Sequence, residues 1–166
     1  MKFKKDNELL IVYLYNVELN LKNQDSLTKD IKNLLVKIIR NYHISFSGIY
    51  QVIIYENKYY GCILEILQIK EFEYGDFIDL KIDIRHNQDF YFVTDNYTFI
   101  ENLNHIYYKN NLYFVKLDSF TNINLLIEYG DIFYKDIPSF VSNSVMIKWK
   151  RKLINLYIWS IIFMYS

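Results

Sequence analysis

Three charged residues have the types and the spacing of a metal-dependent hydrolytic centre: Glu65, Asp79 and Lys81. Glu65 is predicted to lie on one β-strand, and Asp79-Leu80-Lys81 is predicted to open the next one. Carboxylates are hard oxygen ligands of the kind that Mg²⁺ prefers, and a lysine beside them steadies an attacking hydroxide. These three residues are therefore the catalytic candidates in the sequence.

The predicted order helix–strand–strand–strand around these residues resembles the core of PD-(D/E)xK nucleases. In that family an acid and a D/E-x-K pair on adjacent strands hold Mg²⁺ and position water, so the resemblance implies a metal-dependent nuclease-like enzyme. The sequence departs from the family pattern because it has no Pro-Asp element and because helix 27–42 contains no glutamate. Alternating Asp and Lys on a half-exposed strand is the competing explanation, and the enzyme is therefore kept as an alternative hypothesis.

The remaining reactive side chains do not form a recognised constellation. Zinc sites need several imidazole or thiolate ligands at short spacing, whereas His43, His86, His105 and the single Cys62 are isolated from one another. The segment 45–48 lacks the glycine frame that exposes a catalytic serine, and four glycines are too few for a recognised phosphate loop. We predict no metal, no cofactor and no intrachain disulfide.

The last part of the sequence differs from the rest in charge. All 19 acidic residues and 15 of the 19 basic residues come before residue 137, so the body is mildly acidic and the segment 138–166 is basic. The body therefore does not favour nucleic acid as a partner, although Lys29, Lys32, Lys37 and Arg40 make one helix face positive.

A cluster of basic and aromatic residues precedes an apolar C-terminal run: Lys148, Trp149, Lys150, Arg151 and Lys152. The run, residues 153–166, measures about 21 Å as a helix and cannot span a hydrocarbon core of about 30 Å. It can lie at a membrane surface while the cluster binds anionic lipids, and the five residues are binding candidates on that hypothesis. A core or dimer contact is the explanation that the length of the segment favours, and a shifted reading frame is a further alternative.

The composition favours strands over helices. The chain has no alanine but has 17 tyrosines and 12 phenylalanines, and its bias towards residues of AT-rich codons indicates an AT-rich genome. Without alanine, helices lose their best intrinsic former, whereas aromatic and β-branched residues favour sheets. Hydrophobic residues make up 52% of the chain, which is enough for a packed core.

One amphipathic helix is clearly marked, with Asp25 and Ser26 as predicted caps. Its apolar residues recur at helical spacing: Leu27, Ile31, Leu34, Leu35, Ile38 and Tyr42. A short helix is predicted over 121–128. Strands are predicted over 8–19, 49–55, 59–69, 79–85, 90–94, 106–109, 112–117 and 131–134. Pro138 is expected to end the ordered body.

These elements predict one α+β domain, residues 1–137, in the order β-α-β-β-β-β-β-β-α-β. A mostly antiparallel sheet of about six to eight strands would carry the amphipathic helix on one face. Residues 138–166 are predicted to be a basic and apolar tail that is not a separate domain.

The function favoured by these observations is that of a small, non-enzymatic protein-interaction or adaptor domain in the cytoplasm. The stretches 105–116 and 126–130 resemble the aromatic hairpin and the Glu-Tyr-Gly turn of MecA-type adaptors for bacterial proteases, which implies an adaptor. The expected partner is another protein or a second copy of the chain. A membrane-peripheral protein attached through the tail is the first alternative, and the nuclease-like enzyme is the second.

Overall fold

The computed structural model describes residues 2–6, 9–15, 19–42, 47–72, 77–119, 121, 126 and 129–148. Over these residues the chain is a mixed α+β protein with ten strands in two mostly antiparallel sheets, one long helix and one short helix. The predicted α+β class is therefore confirmed.

The strands are divided between two sheets of five strands each, where the sequence predicted a single sheet. By contacts the chain separates into two compact units, Met1–Gln88 and Asp89–Ser166, and each contains one sheet. Strand periodicity is local and does not specify which strands pair, which is why the number of sheets was not visible in the sequence. The domain boundary at residue 137 stays a prediction.

The first unit contains five strands: β1 (Lys2–Asp6), β2 (Leu9–Tyr15), β3 (Gly48–Asn57), β4 (Gly61–Glu71) and β5 (Ile78–Arg85). Their spatial order is β1-β2-β4-β3-β5, and all neighbours are antiparallel except β3 and β5, which are parallel. Successive side chains of a strand point to opposite faces of the sheet. On β2 to β5 the even-numbered side chains share one face and the odd-numbered side chains share the other, except at the end of β4, where a register shift after Gln68 reverses the order.

Helix α1 (Gln24–Tyr42) packs on the even-numbered face. Its stripe Leu27, Ile31, Leu35 and Ile38 is buried, as the spacing predicted. The helix begins earlier than predicted because the side-chain oxygen of Asn23 accepts a hydrogen bond from the backbone N–H of Ser26, at 3.0 Å. Asn23 therefore serves as the N-cap in place of Asp25 or Ser26.

The second unit also contains five strands: β6 (Tyr91–Thr94), β7 (Ile106–Lys109), β8 (Leu112–Lys116), β9 (Asp131–Phe133) and β10 (Val145–Lys148). Their spatial order is β10-β7-β8-β6-β9, and every neighbouring pair is antiparallel. The β7–β8 hairpin turns on Asn110 and Asn111, whose φ angles of 51° and 61° are those that the Asn-Asn pair was predicted to tolerate.

Pro138 does not end the ordered chain. It lies in the first turn of helix α2 (Ile137–Ser142), where the missing backbone N–H of proline has no intrahelical partner to lose. The chain then continues into β10, which pairs with β7 at one edge of the second sheet. Of the helix predicted over 121–128, the structure describes only residues 121 and 126, so that prediction lies mostly outside the described residues.

Candidate functional site

The three catalytic candidates lie on the odd-numbered face of the first sheet, but not on adjacent strands. Glu65 is on β4, Asp79 and Lys81 are on β5, and β3 runs between them. Glu65 is buried, whereas Asp79 and Lys81 are exposed.

The register separates the two carboxylates further. Ile53 of β3 is the register partner of both Glu65 and Asp83, so Asp83 is the acid level with Glu65. Asp79 lies four residues along β5 from that level, so the two Cα atoms are about 13 Å apart along the strands and roughly 10 Å apart across them, or about 16 Å in total. Since Mg²⁺ ligands lie at about 2.1 Å, Glu65 and Asp79 cannot share one ion, and the expected convergence does not occur.

Glu65 instead contacts a tyrosine. The hydroxyl of Tyr55 donates a hydrogen bond to Oε2 of Glu65 at 3.1 Å, and both side chains are buried. The guanidinium of Arg85 lies over the Tyr55 ring, 5.2 Å from its centroid. Burial, with the negative charge of Glu65 and this hydrogen bond, raises the pKa of Tyr55 to about 12.

This pKa shift predicts how stability responds to alkali. Between about pH 10 and 12 the unfolded chain releases the Tyr55 proton while the folded chain retains it. The stabilisation of the folded chain that comes from the raised pKa of Tyr55 is therefore complete below pH 10 and is lost as the pH rises towards 12. In Tyr55→Phe the free energy of unfolding should fall less steeply with pH over this range. The slope should be smaller by the amount that corresponds to about one bound proton.

Urea denaturation of the full chain at several alkaline pH values measures that slope. Tyr129→Phe, at an exposed position, is the matched control and should reproduce the wild-type curve. Equal slopes for the wild type and Tyr55→Phe would show that this hydroxyl does not titrate as described.

The described histidines form no metal centre. Nδ1 of His86 lies 2.6 Å from Oε2 of Glu56, and Nδ1 of His105 lies 3.6 Å from Oδ2 of Asp118. Among the described residues there is no group of three or more His, Cys, Asp or Glu side chains that could hold a metal ion. His43 lies outside the described residues.

The membrane-binding candidates fall almost entirely outside the described residues. Lys148 ends β10, and only its backbone is described, while residues 149–152 and the apolar run after them are not described. None of the helices that the structure describes is long and apolar enough to cross a membrane.

An open cleft of about 300 Å³ lies on one face of the second sheet, beside helix α2. Its walls are supplied by the β7–β8 hairpin, by β9 and by the segment from Asp136 to Asn143. Nine residues line it: Lys109, Asn110, Leu112, Phe114, Phe133, Asp136, Ser139, Phe140 and Asn143. Register places Phe114 and Phe133 on the same face of the sheet, because both strands flank β6 with their side chains in phase.

Three phenylalanine rings form the apolar part of the cleft. The Phe140 ring lies 4.3 Å from the Phe114 ring and 5.1 Å from the Phe133 ring, measured between centroids, and Phe114 and Phe133 are 5.6 Å apart. The interplanar angles of 49° to 75° are those of tilted and edge-to-face pairs, an arrangement that aromatic rings prefer.

The polar part of the cleft contains one cation, one anion, two amides and one hydroxyl. Nζ of Lys109 lies 5.5 Å from the centroid of the Phe140 ring. The carboxylate of Asp136 does not cap α2, although Asp136 is the N-cap residue, since its φ of 53° is left-handed and its side chain makes no capping hydrogen bond. Over the residues that the structure describes, neither Lys109 nor Asp136 forms an ion pair.

Sequence reasoning identified the aromatic hairpin 105–116 but not the cleft to which it contributes. The lining residues come from segments that are 19 to 34 positions apart, and most of α2 was predicted to belong to the basic and apolar tail rather than to the domain. The alternation along β8 was the available signal, because it places Leu112 and Phe114 on one face of the hairpin.

In comparisons with protein-family models, with curated proteins and with solved structures, none matches this chain. What can be said of its class is therefore what the fold defines: an α+β protein with two five-stranded sheets.

Proposed function

We propose that the protein is a non-enzymatic interaction domain that binds a segment of another protein in the cleft beside α2. The supporting observation is the cleft itself: three clustered phenylalanine rings surrounded by five polar side chains. An apolar centre with a polar rim is typical of protein interfaces. The volume of about 300 Å³ is at the small end of ligand pockets and accommodates one large side chain.

The chemistry of the lining residues is also that of binding. Aromatic rings, amides, a hydroxyl and two separated charges provide contact area and hydrogen bonds, which are the interactions that hold a partner in place. On the odd-numbered face of the first sheet, the charged residues of β5 are spread along an exposed strand and line no comparable cleft among the described residues. A cytoplasmic location remains part of this proposal, as it was expected from the sequence.

Filling the cleft tests the proposal. Ser139 is exposed and lines the cleft, so an indole introduced by Ser139→Trp would occupy the space of the partner's side chain. A random peptide library displayed on phage is first selected against the wild-type full chain, and the enriched peptides are synthesised. Their affinity for Ser139→Trp is expected to be about tenfold or more lower, the usual effect of losing an anchor pocket.

Ser142→Trp is the matched control for this experiment. Ser142 lies on the same helix, is exposed, and does not line the cleft. The two serines also have similar hydrogen bonds, because each hydroxyl donates to a backbone carbonyl three residues earlier at 3.0 Å. Enriched peptides that bind both variants as tightly as the wild type, or a selection that enriches nothing, would contradict the proposed function.

A further inference from the structure

Two charges in the cleft lining have no partner of opposite sign among the residues that the structure describes. Lys109 is at the end of β7, and Asp136 immediately precedes α2, so they belong to different walls. Elsewhere in the second unit an ion pair joins Lys116 to Asp89, and Nδ1 of His105 lies 3.6 Å from Oδ2 of Asp118. Within the described residues, the charges of Lys109 and Asp136 are thus left for whatever occupies the cleft.

The phenylalanine rings of the cleft select the central group of the occupant. Phe114, Phe133 and Phe140 already pack on one another in tilted and edge-to-face geometry, and a further aromatic ring in the cleft can extend that packing. Such a pair favours an aromatic over an aliphatic side chain of equal area by roughly two- to tenfold.

We propose that the cleft binds a peptide segment in which an aromatic residue is flanked on one side by an acidic residue and on the other by a basic residue. The inference rests on the function proposed above and specifies its partner. The acidic residue pairs with Lys109, the basic residue pairs with Asp136, and the aromatic ring contacts the three phenylalanines.

Four labelled synthetic peptides test this charge pattern by fluorescence anisotropy with the full chain at low ionic strength. All have a central tryptophan in a glycine–serine background. The first carries glutamate before and lysine after the tryptophan, the second has these two exchanged, the third carries two lysines and the fourth two serines. Both mixed-charge peptides are included so that either direction of the segment in the cleft is tested.

One mixed-charge peptide is expected to bind the wild type about fivefold more tightly than the two-lysine peptide, the size of effect that a favourable exposed pair supplies. This advantage should shrink at about 1 M salt, where the screening length falls to about 3 Å. Replacing the tryptophan of the best peptide by leucine should weaken its binding.

Reversing the charge of Lys109 should change the order of the four peptide affinities. In Lys109→Glu the side chains at positions 109 and 136 are both negative, so the two-lysine peptide is expected to bind most tightly of the four. Lys58→Glu is the matched control: Lys58 is exposed, and its Nζ also lies over an aromatic ring, that of Tyr59 at 5.7 Å, but it does not line the cleft. This control should retain the wild-type ranking.

The outcomes separate this inference from the proposed function. Equal affinities for the four peptides, or a ranking that Lys109→Glu leaves unchanged, overturn the charge pattern, while the proposed function survives if Ser139→Trp still blocks library-selected peptides. If circular dichroism shows that Lys109→Glu is unfolded, Lys109→Gln replaces it and should abolish the preference for glutamate. Loss of all binding from the wild type, in both the library and the four peptides, overturns both proposals.

Discussion

Replacing Phe140 by alanine is expected to lower the free energy of unfolding by about 3–5 kcal/mol, the usual cost of removing a buried phenylalanine. Phe140 is the residue of α2 that reaches the core of the second sheet, and only 6% of its surface is exposed. Its ring packs against Phe114, Phe133 and Tyr91, the last at 6.0 Å between centroids. Alanine would leave a cavity among rings that cannot collapse to fill it.

Urea denaturation of the full chain, followed by circular dichroism, measures this loss. Phe99→Ala is the matched control, because the same atoms are removed from a side chain that is 45% exposed and stacks on the exposed Tyr129. We expect it to cost about 1 kcal/mol or less. Equal losses for the two variants would mean that Phe140 does not anchor α2 to the sheet.

Gly130→Ala is the second substitution with a large expected effect, about 2–4 kcal/mol of destabilisation. A Cβ at this position would lie 2.5 Å from Cε2 and 2.6 Å from Cζ of Phe92, and closer still to the carbonyl oxygen of Val93. Phe92 is completely buried, and Val93 is on β6, which is paired with β8 on one side and β9 on the other, so neither can move aside without disturbing neighbouring strands.

The direction of this effect is diagnostic, since a glycine-to-alanine change at an unhindered position stabilises a protein by about 0.4–1 kcal/mol through the unfolded state. The same denaturation experiment applies, with Gly130→Val expected to be worse than Gly130→Ala because it adds more atoms to the contact. Ser142→Ala, at an exposed position, should remain within about 0.5 kcal/mol of the wild type. A Gly130→Ala variant more stable than the wild type would contradict the close approach to Phe92.

The two substitutions also bear on the cleft. Phe140 forms part of its floor, and Gly130 directly precedes β9, which supplies Phe133. The fraction of Phe140→Ala that remains folded should therefore bind aromatic peptides less tightly than the wild type. Ser139→Trp separates binding from stability because it fills the cleft without removing a core side chain.

Much of the secondary structure was predictable because its signals are local. The apolar stripe of α1 has the 3.6-residue period of a helix, and the alternation over residues 79–85 has the two-residue period of a strand, which is now β5. The turn at Asn110 and Asn111 follows from the ability of asparagine to adopt positive φ. Each of these features depends on residues a few positions apart, so the amino-acid sequence by itself determined them.

Strand pairing and the cleft were decided only by the tertiary structure. Glu65 and Asp79 had the right types and plausible spacing for a metal site, but the insertion of β3 between their strands separates them. Lys109 and Asn143 line one cleft although 34 positions separate them in the chain. Such contacts depend on which strands pair and on where α2 packs, and no local period encodes either choice. Pro138 shows the same limit, because a proline that was predicted to end the ordered body is equally suited to the first turn of a helix.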